Sequence, residues 1–133
     1  MDTNEMLGRA VHKPSADLAP ANQETLIRNL HERHLRTVYA DYWICYNSAF
    51  VADGTVTFGA VDVVRDTEMQ ATARRLRTRV WLIEAGTPRD RELAARLAHF
   101  GITVHRESAG AIAIYTLDRY LDPIAAQIFR RLS

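Results

Sequence analysis

At 133 residues, with 47% apolar and 25% charged side chains, the chain has the length and balance of one globular domain. Seventeen basic against sixteen acidic residues leave a net charge of +1, which excludes the broad basic excess of a nucleic-acid or polyanion binder. The lone Cys45 excludes an internal disulfide and a cysteine-built zinc site. The longest uncharged apolar run, Ala109 to Leu117, is about half the ~20 residues that a bilayer span needs. The opening carries scattered charges and no apolar stretch, so neither a transmembrane segment nor a secretory signal is expected.

Residues 1–21 hold Gly8, Pro14 and Pro20 among Ser, Asp and Ala without periodicity, and read as a flexible arm or linker ahead of a single α/β domain over residues 22–133. From Asn22, the spacing of Leu26, Ile27, Leu30 and His34 predicts an amphipathic helix. Arg36 to Asp41 is a β-prone run. The aromatic stretch after it, up to Gly54, reads as a helix following the strand, although its periodicity also permits a continued strand. Thr55 to Val61, with Val63 and Val64, form the next β segment, where Gly59 marks a bulge or a close approach. A helix is expected from Thr67, capped by its hydroxyl with Gln70 reaching back, and burying Met69, Ala73 and Leu76.

Arg79 to Glu84 is a nearly continuous apolar strand of the kind covered on both faces. Thr87 and Pro88 open a helix whose apolar face is Leu93, Ala94, Leu97 and Ala98, and Gly101 ends it. Ile102 to Arg106 and Ala111 to Leu117 read as an antiparallel hairpin around residues 107–110. Asp122 and Pro123 open a last helix with Ile124, Ile128 and Leu132 in line. This alternation implies an α/β fold: three layers, with a mainly parallel sheet and a C-terminal antiparallel hairpin. In such sheets, ligands bind beyond the carboxyl ends of the strands, here Ala40 to Tyr42, Asp62 to Arg65 and Glu84 to Gly86.

The series from the amphipathic helix through Tyr39, Ala40, Asp41, Tyr42 and Trp43, with Tyr46 and Phe50 after them, continues into Arg79 to Glu84, Phe100–Gly101 and Val104 to Leu117. Over residues 22–117 it resembles the soluble C-terminal domain of bacterial polytopic glycosyltransferases of the dolichyl-phosphate-mannose–protein mannosyltransferase-like superfamily. The resemblance implies an extracytoplasmic location, the membrane-embedded portion of the parent protein as partner, and a polyprenyl-phosphate sugar or an acceptor glycan as ligand. The catalytic acids of that superfamily lie in a loop between membrane helices that this chain lacks, so no catalytic residue carries over. A non-catalytic module assisting donor or acceptor binding, or assembly, is the expectation. The alternative is a stand-alone α/β ligand-binding or regulatory domain in the cytoplasm.

Asp41, Tyr42, Trp43 and Tyr46 set a carboxylate and three aromatic rings at one strand end, a combination suited to sugar hydroxyls and to stacking on a pyranose. The same residues also read as a helix cap at Asp41 and core filling by Trp43. Arg65 stands before a helix start, where it would bind a phosphate or pair with Asp62 or Asp66. Arg74, Arg75, Arg77 and Arg79 suit either anionic headgroups or a solvated helix end. No aromatic residue separates these arginines, which speaks against single-stranded nucleic acid. His31 and His34 lack partners at metal-ligand spacing, and glycine-rich phosphate loops are absent, so neither a metal nor a cofactor is expected.

Overall fold

A computed structural model of the protein describes residues 20–41, 44, 55–62, 64 and 66–129. In chain order these form α1 (Pro20–Glu32), β1 (Thr37–Ala40), β2 (Thr57–Ala60), α2 (Thr67–Leu76), β3 (Val80–Glu84), α3 (Pro88–His99), β4 (Val104–Ala109) and β5 (Ile112–Leu117). The fold is α/β, built on a mixed five-stranded sheet of order β2-β1-β3-β5-β4. β1 pairs in parallel with both β2 and β3, while β5 runs antiparallel to β3 and to β4, so the expected hairpin forms one edge of a mainly parallel sheet.

Side-chain alternation explains why the central strands carry almost no polar residues. Val38, Ala40, Val80, Leu82, Ile112 and Ile114 join one apolar cluster with Leu26, Ile27 and Leu30 of α1. Tyr39, Trp81, Ile83, Ala113, Tyr115 and Leu117 join a second with Ala73 of α2 and with Leu93 and Leu97 of α3. Successive residues of a strand point to opposite faces, so a strand covered on both sides must be apolar at every position. All five residues of β3 are buried. Gly59, level with Tyr39 on β1, is the close approach: a Cβ there would stand 2.8 Å from both the Ala73 methyl and the Tyr39 ring.

Several expected details are corrected. α1 starts at Pro20 and ends at Glu32, and His34, expected on its apolar stripe, is exposed in a left-handed conformation past the helix end. The cap of α2 is Asp66, not Thr67; its Oδ1 accepts from the Met69 amide, because a short carboxylate one residue earlier reaches the free N–H groups of the first turn. Gln70 does not reach back to the cap. It is buried against β2, and Leu76, expected in the core, is exposed. On α3 only the Leu93 and Leu97 part of the expected apolar face is buried, while Ala94 and Ala98 are exposed.

Gly110 and Ala111 alone make the hairpin turn, and Glu107, Ser108 and Ala109 belong to β4. Gly110 takes the positive φ (60°) that a two-residue hairpin turn demands at its first position. In place of the expected last helix, residues 123–129 form turns. Asp122 Oδ1 accepts from the amides of Ile124 and Ala125, and Gln127 at φ 53° ends the helical path after one turn. The 1–19 part of the proposed arm, the stretch 45–54, Val63 and Leu132 lie outside the described residues.

Candidate functional site

Because β2, β1 and β3 are parallel, their carboxyl ends meet at one end of the sheet. Each end delivers a carboxylate. Asp41 follows β1 directly and is 1% exposed; Glu84 closes β3 and is 4% exposed; Asp62 lies two residues past β2 with its side chain 5% exposed. Asp41 Oδ1 accepts from the amide of Ile44, three residues on, at 3.1 Å. Asp62 is bound by Arg89, whose Nη2 donates at 3.0 Å and whose guanidinium lies 4.4 Å from the centre of the Phe129 ring. The other terminal nitrogen of Arg89, Nη1, is buried and has no hydrogen-bond partner among the described residues.

α3 begins against these strand ends. Its cap is Thr87, whose Oγ1 accepts from the Asp90 amide and donates to the Glu84 carbonyl at 2.7 Å, with Pro88 supplying a fixed φ at the first helical position. The Asp90 carboxylate turns back to accept from the Gly86 amide at 2.9 Å, and Arg106 of β4 and the Tyr115 hydroxyl of β5 also donate to it. Burial alone would raise the Asp90 carboxyl, but the Arg106, Tyr115 and Gly86 hydrogen bonds outweigh it and hold the group below its ordinary value. Burial, and then the hydrogen bond to Asp90, push the Tyr115 phenol up to about 12. The Thr87 hydroxyl thus answers the Asp90 amide of the helix start, and the Asp90 carboxylate answers the Gly86 amide just ahead of it.

Of the five residues singled out from the sequence, Asp41 is placed at the expected strand end, where it accepts from the Ile44 amide. Tyr42, Trp43, Tyr46 and Arg65 lie outside the described residues. Sequence reasoning missed Arg89 and the set formed by Asp90, Arg106 and Tyr115. An acidic residue three positions after the Thr87 cap is a signal that could have found Asp90, since that position reaches back to amides ahead of the helix. Nothing local could have found Arg106 and Tyr115, which come from other strands. Among the described residues, no group of three or more His, Cys, Asp or Glu is placed to hold a metal ion. Also among them, no helix is long and apolar enough to cross a membrane.

Comparison with protein-family models, with curated proteins and with solved structures gives no match to this chain.

Proposed function

We propose that the carboxyl ends of β2, β1 and β3 form a non-catalytic binding face for a hydroxyl-rich anion, of the kind a polyprenyl-phosphate sugar or an acceptor glycan presents. On this reading, the chain serves as an extracytoplasmic module of a polytopic glycosyltransferase-like membrane protein. The observation that carries it is the unpartnered, buried Arg89 Nη1 beside the Asp62 carboxylate, at the same sheet end as Asp41 and Glu84. A guanidinium with a free donor suits a phosphate oxygen once the ligand displaces the groups that bury it, and carboxylates accept from sugar hydroxyls. The resemblance over residues 22–117, carried chiefly by Tyr39 to Trp43, supports the sugar as ligand class.

Amide chemical shifts followed during titration with a hexose 1-phosphate and with a neutral oligosaccharide test the reading. Movement confined to residues around Asp41, Asp62, Glu84 and Arg89 is expected, and Arg89→Gln is expected to weaken the phosphate-bearing ligand about ten-fold, the scale of one lost charged hydrogen bond. No movement at millimolar ligand would sink the binding face. The coding region tests the setting: a series of hydrophobic spans upstream supports the membrane protein, whereas a stop codon followed by a native start at Met1 supports a stand-alone ligand-binding domain.

A further inference from the structure

We infer that the opposite end of the sheet is a docking surface for an anionic phospholipid bilayer. The fold gathers arginines there from separate segments. Arg36 precedes β1, Arg79 precedes β3, Arg119 follows β5, and Arg74, Arg75 and Arg77 close α2. All six are exposed, in a chain whose net charge is +1; the acidic residues flanking them in sequence are Glu32, Asp118 and Asp122, and Asp122 is ion-paired with Arg74 at 2.9 Å, which leaves five arginines without a carboxylate shown against them. At the carboxyl end the Asp62 carboxylate is matched by Arg89, whereas at the amino end the arginines outnumber the acids.

Contacts between these segments make them one surface. The Thr78 hydroxyl donates to the Thr37 carbonyl, joining the starts of β1 and β3. Arg79 Nη1 donates to the Asp118 carbonyl at 3.3 Å, and the Arg77 guanidinium lies 4.7 Å from the centre of the Tyr120 ring. Arg119 Nη2 donates to the carbonyls of Phe100 and Gly101 at 3.1 and 3.0 Å, tying in the end of α3. Within this basic surface stand two large apolar side chains, Leu76 at 57% exposure and Phe100 at 42%. Leu76 is left open because α2 stops at Arg77, which takes a left-handed conformation (φ 52°).

Guanidiniums around exposed apolar side chains match a surface that offers phosphates at one depth and hydrocarbon just beneath it. A nucleic acid offers the phosphates but no apolar phase for Leu76, so the bilayer is the partner that uses both features. Docking by this end turns the Asp41, Asp62 and Glu84 end away from the membrane, where of the two ligand classes proposed above an acceptor glycan arriving from water reaches it and a membrane-anchored polyprenyl donor does not. The inference does not depend on what binds there.

The full chain is to be sedimented with vesicles of phosphatidylcholine containing phosphatidylglycerol, with vesicles of phosphatidylcholine alone, and separately tested for retention of a homopolymeric RNA. Sedimentation with the anionic vesicles, falling as salt is raised, is expected. Each arginine near an anionic surface changes partitioning about five-fold, so Arg36→Gln with Arg75→Gln is expected to lower binding at least ten-fold at low salt. Both side chains are exposed, and an unchanged thermal melt confirms that this variant is folded. Leu76→Ser with Phe100→Ser is expected to weaken binding while keeping its salt dependence. Absence of sedimentation, equal sedimentation with neutral vesicles, an unaffected double-arginine variant, or retention of RNA in preference to vesicles would each overturn the inference.

Discussion

The side-chain amide of Gln70 binds both backbone groups of Ala60: its Oε1 accepts from the Ala60 N–H at 2.6 Å and its Nε2 donates to the Ala60 carbonyl at 3.0 Å. Ala60 lies on β2, one of the two edge strands of the described sheet, and the Val61 amide is already used by the Ala40 carbonyl of β1. Gln70 therefore stands in for a neighbouring strand at the open edge and fixes α2 to β2. Replacing it by Ala leaves two polar backbone groups without partners, and a loss of about 2 kcal/mol in urea unfolding is expected. Gln70→Glu keeps the acceptor but loses the donor. It should be at least as damaging near neutral pH and partly recover in acid, when the protonated carboxyl can donate to Ala60.

The Asp90 set links three elements through one carboxylate. Because the Asp90 carboxylate accepts from Gly86, Arg106 and Tyr115 together, removing it leaves three donors without their acceptor and is expected to cost about 3 kcal/mol, whereas removing Arg106 leaves the carboxylate its other two donors. A double-mutant cycle with Asp90→Asn and Tyr115→Phe should give a coupling energy well above zero; strictly additive losses would mean that the hydroxyl and the carboxylate act independently.

Stability is expected to fall at both ends of the pH scale. Asp90 has a folded pKa below its unfolded value of 3.8, so the native state binds fewer protons; its contribution is present above about pH 4 and is lost as pH drops through the folded pKa. Glu107, held down chiefly by the Arg33 hydrogen bond, acts in the same direction. Tyr115 is raised from 10.0 to about 12, so its contribution is complete below pH 10 and is lost between pH 10 and 12. Tyr39, buried and hydrogen-bonded to Tyr120, is raised as well. Unfolding curves across this range, repeated on Asp90→Asn and Tyr115→Phe, should show a shallower acid limb in the first variant and a shallower alkaline limb in the second.

Gly59→Ala tests the contact between α2 and the sheet. The added methyl would meet the Ala73 Cβ and the Tyr39 ring at 2.8 Å, and both are held in the packed core. A loss of about 1–3 kcal/mol is expected from overpacking in a thermal melt, whereas the same change at the exposed Gly86 meets no atom and carries only the strain of its positive φ.

The local signals that were legible share one property: they act within a few residues. The apolar run from Val80 to Glu84 specified a strand buried on both faces, and Thr87 with Pro88 specified a helix start, because each depends only on its own side chains and backbone. The α/β alternation likewise implied a mainly parallel sheet, and hence that Asp41 would share one end of it with Asp62 and Glu84. Details that depend on a distant partner were not legible. The use of Gln70 was settled by the Ala60 backbone groups on β2, and the state of Asp90 by residues 16 and 25 positions further along the chain. The sequence sets each segment's apolar periodicity, its turns and caps, because these obey short-range geometry. Which charges are neutralised, and which arginines gather on one face, only the tertiary structure decides, because strands remote in sequence lie about 5 Å apart once the sheet has formed.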